Sequence, residues 1–266
     1  MKTAAMVGLL GALAVSGVAA NEREVTVCAD PDPPPSVYWV RDAQGHKTQA
    51  LTGFGVDLMN EAFARLGVKV RWIGHYPWAR CMKEVEDGRT DFAYGAYYSE
   101  ERARRFAYSV PLRALTPQVF SMRDRPVDVR SKADLKRYAG CGLTGASYAH
   151  YDLGPADLDT GVNTYAKLIT KLKLGRCDYF VEELEVILRL KDVGQDLLAD
   201  EDLVHGPVPD ATAPTTHLIA GKTSAAAARL PELDAVLIPL IRSGEAARYW
   251  RRHSSSLPYK PGKLPS

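Results

Sequence analysis

Ser99 and Arg102 are the residues whose types and spacing most directly suggest chemistry. They lie in the run Asp91-Phe92-Ala93-Tyr94-Gly95-Ala96-Tyr97-Tyr98-Ser99-Glu100-Glu101-Arg102, which continues to Ser109. Ser99 reads as an N-cap, followed by the acidic first turn of a helix, and Arg102 falls one turn in. A hydroxyl, free backbone N–H groups and a guanidinium fork together suit a carboxylate, because arginine offers paired donors and helix N-termini attract anions. The competing reading makes Arg102 a solvated helix residue beside Arg104 and Arg105. Asp91 to Tyr94 reads as a short buried strand, so the small and aromatic residues between it and Ser99 form a loop.

The elements around this stretch follow from periodicity. Glu24 to Cys28 reads as a strand, ended by the stiff proline loop Ala29 to Pro35, which would hold Tyr38 and Trp39 in place. Gln44 to Lys47 marks a hairpin tip. Gly53-Phe54-Gly55 leads into a helix with Val56, Leu58, Met59, Ala62 and Phe63 on one face and Gly67 as its stop. Val68 to Ile73 alternates as a strand, and Pro77-Trp78 opens a helix through Val85. The first part therefore reads β-α-β-α-β, a sheet flanked by helices. In the second part Val119 to Met122, Cys141 to Leu143 and Tyr179 to Val181 read as strands. Thr144 to Ser147 reads as a turn into a helix, and Thr164 as lying in the cap of another that carries Leu168, Ile169 and Leu172. Ala213 to Ala220 is extended, Leu230 to Trp250 supplies one or two closing helices, and Ser254 to Ser266 reads as a loose end.

Composition narrows the function. The first 20 residues carry one lysine, an apolar run and Val18-Ala19-Ala20, the pattern of an export leader cut after Ala20. Its apolar core is shorter than the roughly 20 residues a membrane span needs. The net charge of +2, with both signs interspersed, argues against a nucleic-acid partner. The cysteines Cys28, Cys81, Cys141 and Cys177 form an even set, which in an exported chain reads as two disulfides with three pairings open. A thiolate metal site is the weaker reading, because no CxxC spacing occurs.

The order of motifs resembles the family 3 extracellular solute-binding proteins, the periplasmic receptors of polar amino acid ABC transporters. The resemblance is carried by the strand ending in Cys28 with its proline loop, Gly53-Phe54-Gly55-Val56-Asp57-Leu58 and Pro77-Trp78-Ala79-Arg80-Cys81. It continues through Gly88-Arg89-Thr90-Asp91, Ser99-Glu100-Glu101-Arg102 with Ser109-Val110-Pro111, Gly142-Leu143-Thr144-Gly145-Ala146-Ser147 and Gly175-Arg176-Cys177-Asp178. It implies an α/β fold of the two-lobed type II periplasmic-binding-protein kind, with two hinge crossings and a ligand cleft between the lobes. Lobe one would comprise residues 21–116 and 212–266, and lobe two residues 117–211, with crossings near Leu115 to Val119 and Pro207 to Pro214. Closure about such a hinge is a two-state motion. A bond between lobes would hinder it, so the resemblance favours Cys28–Cys81 and Cys141–Cys177.

Carried over residue by residue, the resemblance implies that Arg102 grips a ligand carboxylate, with Ser99 beside it and the main chain of Ala146 and Ser147 donating from lobe two. Glu183 or Glu182 would meet a ligand amine, although an acidic pair at a helix start is also favoured by the dipole alone. Tyr94, Gly95, Ala96, Tyr97 and Tyr98 stand where such binders often carry serines and threonines, which suggests an aromatic cleft able to stack on a ring or hold a cation. Tyr38, Trp39, Trp78 and Tyr148 could add walls, each with a core role as the alternative. Arg80 could be a second anion donor or merely pair with a neighbouring acid.

The implied function is a monomeric, non-catalytic receptor without cofactor or metal, delivering a small polar solute that bears a carboxylate to a membrane permease. Two other classes stand beside it. One is a dehydratase-type enzyme on the same scaffold, in which a cleft acid such as Glu183 works with a histidine; yet His75, His150, His205 and His217 stand alone in sequence. The other is a binding module for a separate sensor or periplasmic complex.

Overall fold

The computed structural model describes residues 23–31, 35–254 and 257–265. The expected leader and its cut after Ala20 lie outside them, as do residues 32–34 of the proline loop. In chain order the first elements are β1 (Arg23–Cys28), the hairpin of β2 (Tyr38–Arg41) and β3 (Lys47–Thr52), α1 (Phe54–Ala64) and β4 (Val68–Ile73). There follow α2 (Trp78–Glu86), β5 (Phe92–Tyr97), α3 (Glu100–Ala103), β6 (Phe106–Tyr108) and β7 (Arg113–Ala114). The middle of the chain forms β8 (Pro117–Met122), β9 (Gly140–Leu143), β10 (Leu158–Val162), α4 (Tyr165–Lys173), β11 (Tyr179–Glu183), α5 (Leu184–Arg189) and β12 (Leu203–Pro207). The last elements are β13 (Thr215–Gly221), α6 (Leu230–Arg242) and α7 (Glu245–His253).

Two main sheets define two lobes. One has the order β4-β1-β5-β13-β6, with β7 also on β13; the other has the order β10-β9-β11-β8-β12. Because β13 returns to pair antiparallel with β5 after the second sheet is complete, the chain passes between the sheets twice. The two passages touch, Leu115 N–H donating to the Pro214 carbonyl at 3.0 Å. Buried Glu185 of α5 ties the first of them down, accepting from Thr116 N at 2.8 Å and from Thr116 Oγ1 at 2.7 Å.

Each lobe has its own apolar interior. In the first, α1 buries Phe54, Leu58, Met59 and Phe63 against Phe92, Leu218, Leu237 and Trp250. Its start depends on Gly53, at φ 126°, where a Cβ would come within 2.4 Å of the Ser36 carbonyl. In the second lobe Phe120 and Phe180 stack with centroids 4.7 Å apart, among Leu168, Leu172 and Ile187. The disulfides are Cys28–Cys81, from β1 to α2, and Cys141–Cys177, from β9 to the segment before β11, so each staples one lobe. Among the described residues no helix is long and apolar enough to cross a membrane.

Four expectations need correction. The strand expected to end at Tyr94 runs on to Tyr97 as β5, because Ala96 and Tyr97 pair with His217 and Thr216 of β13, so the loop before Ser99 is shorter than expected. The segment after Thr144 to Ser147 does not become an α-helix but a loop with one 3₁₀ turn, Ala149–Tyr151, ended by Asp152 at φ 57°. The C-terminal tail is not loose: Tyr259 Oη donates to the Leu112 carbonyl at 2.5 Å, Ala114 N donates to the Lys260 carbonyl at 2.8 Å, and Trp250 Nε1 donates to the Leu257 carbonyl at 2.6 Å. Its aromatic and leucine side chains join the core of the first lobe, which outweighs its proline and lysine content. Finally β6, β7, β10 and β12 are strands in addition to those expected.

Candidate functional site

A cavity of about 330 Å³ lies between the lobes. The first lobe meets it along one sheet edge. Thr216 of β13 is directly opposite Tyr97 of β5 on one side and Arg113 of β7 on the other. Residues opposite one another in antiparallel strands point to the same face, so all three side chains reach the cavity together. Tyr94, Gly95 and Trp78 add to this wall, and Arg102 approaches from α3. The second lobe contributes the loop Gly145 to Tyr148, His150, Tyr165 at the start of α4, Glu182 and Glu183 at the end of β11, and Val186 and Arg189 three residues apart on α5.

Both carboxylates of the acid pair reach the cavity. Glu183, 2% exposed, accepts from Tyr97 Oη across the cleft at 2.9 Å and sits 2.7 Å from His150 Nε2. Glu182 accepts from Tyr165 Oη at 2.5 Å and, on its other oxygen, from Glu183 N at 3.0 Å. Burial, and then the charge of Glu183 beside it, push the Glu182 carboxyl well above the ordinary range. Burial draws His150 down to about 4, so near neutral pH its imidazole is uncharged and can donate its Nε2 proton to Glu183. Tyr97 is raised by burial and by the carboxylates, and stays a donor.

Positive charge faces this pair. Arg102 lines the cavity, and its Nη1 donates to the Tyr97 carbonyl at 3.3 Å. Arg113 is 4% exposed, with its guanidinium 4.9 Å from the Trp250 ring centroid, and Arg189 is 9% exposed. Burial and the neighbouring Arg113 draw Arg189 down to about 10.

The structure brings Arg102, Tyr94, Gly95, Tyr97, Trp78, Ala146, Ser147, Tyr148, Glu182 and Glu183 to this cavity. It does not bring Ser99 or Tyr38 to the lining. The Ser99 hydroxyl is engaged as the helix cap, accepting from Arg102 N at 3.2 Å. Tyr38 pairs through its hydroxyl with His253 Nδ1 at 2.9 Å on the flank of the first lobe. Trp39 packs over Gly74, and Arg80 stacks on Tyr76 at 4.3 Å and faces Glu84 at 3.7 Å. Sequence reasoning missed Arg113, Arg189, Thr216 and Tyr165, and weighed His150 only as one of four isolated histidines. One signal was present: Arg189 follows the apolar run Val186-Ile187-Leu188 at the end of α5 and is followed by Leu190.

Comparison with known proteins follows the same lines. Residues 25–245 match the family model described as bacterial extracellular solute-binding proteins, family 3. No curated protein matches the chain by sequence. Among solved structures, a substrate binding protein of an amino acid ABC transporter is 20% identical, with a TM-score of 0.62, covering 86% of this chain and 98% of that one. The arginine-, lysine-, histidine-binding protein of Geobacillus stearothermophilus is 18% identical, with a TM-score of 0.65, covering 89% and 97%. A histidine kinase sensor domain with similarity to periplasmic binding proteins is 22% identical, with a TM-score of 0.64, covering 89% and 98%. At these identities the likeness is one of fold.

Proposed function

The chain belongs to the bacterial extracellular solute-binding proteins, family 3, and we propose on that premise that its cleft captures a small zwitterion and delivers it to an ABC permease in the inner membrane. The observation that carries this reading is one cavity holding two carboxylates, buried Glu183 and half-buried Glu182, and an arginine, Arg102, on separate walls contributed by two lobes. A ligand carboxylate would lie against Arg102 and the main chain of Ala146 and Ser147, and its ammonium against the acid pair. The lobes are assigned as residues 21–116 with 212–266, and residues 117–211, and the receptor as an exported periplasmic monomer without catalytic groups.

Capture then works by differential contact. A ligand that bridges Arg102 and Glu183 interacts with both lobes only when they are closed, so it shifts the population toward the closed state. The Tyr97–Glu183 hydrogen bond closes the same gap from the protein side. Exclusion of water strengthens each charged contact. A thermal-shift screen of the mature protein against amino acids, polyamines, organic acids and aromatic metabolites tests the reading. A ligand at about one hundred times its Kd adds about 2.7 kcal/mol to stability. A rise confined to zwitterions supports the proposal, and a rise with polyamines or plain organic acids alone removes it.

Glu182 adds a pH signature. Its raised pKa means that the folded site favours the protonated form there, and an arriving ammonium favours the ionised form. Binding of an amine-bearing ligand is therefore expected to release up to about one proton per site. Calorimetry in buffers of different ionisation heat reads this directly. Heats independent of the buffer would show that no ammonium meets Glu182.

A second reading has one specific observation in its favour. His150 against Glu183 at 2.7 Å in an enclosed cleft is an arrangement capable of acid–base work. Recovery of the stabilising compound unchanged supports the receptor, and its consumption supports the enzyme.

A further inference from the structure

The acid pair and Arg102 account for a simple zwitterion, but two buried arginines remain. Arg113 and Arg189 come from different lobes and converge on the same cavity, near enough for each to feel the other's charge. Among the described residues neither has a carboxylate within ion-pair distance, and Nε of each lacks a hydrogen-bond partner. Thr216, next to Arg113 across the sheet, buries a hydroxyl that is equally unpartnered. Buried polar groups are almost always satisfied, and an unpaired buried charge is costly. A second guanidinium facing the same cavity raises that cost further. Donors of this kind converging on one cavity are what an anionic group requires, with arginine forks able to bind it in bidentate fashion.

The neighbouring groups do not serve as that partner. Glu183 is taken up by Tyr97 and His150, and Glu182 by Tyr165 and the main chain. Arg113 is fixed from behind by its contact with the Trp250 ring, so its fork is held in place rather than swinging to the surface. Arg189 is on the same face of α5 as Val186, which also lines the cavity.

We propose that Arg113, Arg189 and Thr216 form a second anion subsite, and that the ligand is an amino acid carrying an additional acidic group, a dicarboxylate rather than a neutral or basic zwitterion. The inference rests on the receptor reading and narrows its ligand class. It also gives the cleft a closure signal, because an acidic side chain would join Arg113 of one lobe to Arg189 of the other.

The test titrates the mature protein, and its Arg189→Gln and Arg113→Gln variants, with L-glutamate, L-glutamine, L-aspartate and L-asparagine. The wild type is expected to bind one acid at least about tenfold more tightly than its amide, the usual scale for a charged hydrogen bond. Each variant should bring that ratio to within about threefold, with the acid losing more affinity than its amide. Ligand-free Arg189→Gln should melt at or above the temperature of the wild type, since an unpaired charge has been removed from the interior. Equal affinity for acid and amide, or a preference that survives both variants, overturns the subsite while leaving the receptor reading in place. Failure of all four to bind, when the wider screen finds a neutral or basic zwitterion, overturns it as well. A ligand-free Arg189→Gln that melts well below the wild type also counts against it, by showing that the protein itself stabilises the guanidinium.

Discussion

Glu183→Ala is expected to weaken binding of an aminated ligand about a hundredfold. Truncating one member of a buried, hydrogen-bonded charge pair costs about 2 to 5 kcal/mol, and about 2.7 kcal/mol is a hundredfold in Kd. Glu183 fits that case because it is almost wholly buried and belongs to a network spanning the lobes. The substitution removes the charge that would meet the ammonium and the acceptor that holds Tyr97 in the closed arrangement. Glu183→Gln separates these two roles. Its amide oxygen can still accept from Tyr97, so the closing contact survives while the charge is lost. Titration of both variants with the ligand found by thermal shift measures the split. Wild-type affinity in Glu183→Gln would mean that the charge of Glu183 does not read the ligand.

Removing the Cys141–Cys177 bridge is expected to lower the stability of the second lobe by about 4 kcal/mol, the chain-entropy value for a loop of its size. The bridge spans 36 residues, and both of its cysteines are buried in the core that contains Phe120 and Phe180. In a chain of this length a loss of that size corresponds to about 8 to 16 °C in melting temperature. The Cys28–Cys81 bridge spans 53 residues and should contribute similarly to the first lobe. Cys141→Ser with Cys177→Ser, compared by calorimetry with the wild type, gives the result. An unchanged melting temperature, together with four titratable thiols in exported protein, would contradict the disulfide assignment.

Much of the frame was legible because it rests on local patterns. The buried face of α1, the cap at Ser99 and the strand Cys141 to Leu143 are written in spacing a few residues long. The short strands β7 and β12 were not legible, since they exist by pairing with β13 and β8 far along the chain. The tail illustrates the same limit. Its composition suggests a free end, yet Tyr259 finds a carbonyl 147 residues away and a core to pack against.

The site divides in the same way. Arg102 stands in a motif that carries the family resemblance, and the acid pair follows the last such motif by a few residues, so their arrival at one cavity was foreseeable. Arg113 carries no local signature, and Arg189 only its place beside an apolar run. Their meaning comes from burial without partners, which depends on how two lobes fold against each other. Ser99 shows the converse. Its local signature was read correctly as a cap, yet the residue lies outside the cavity lining.

The most direct test of the central claim is a crystal structure of the mature protein with the solute that most raises its melting temperature. The account predicts one molecule between the lobes, its carboxylate at Arg102 and the Ala146–Ser147 main chain, and its ammonium at Glu182 and Glu183. A solute bound outside this cavity, or one whose amine lies away from both glutamates, would contradict it.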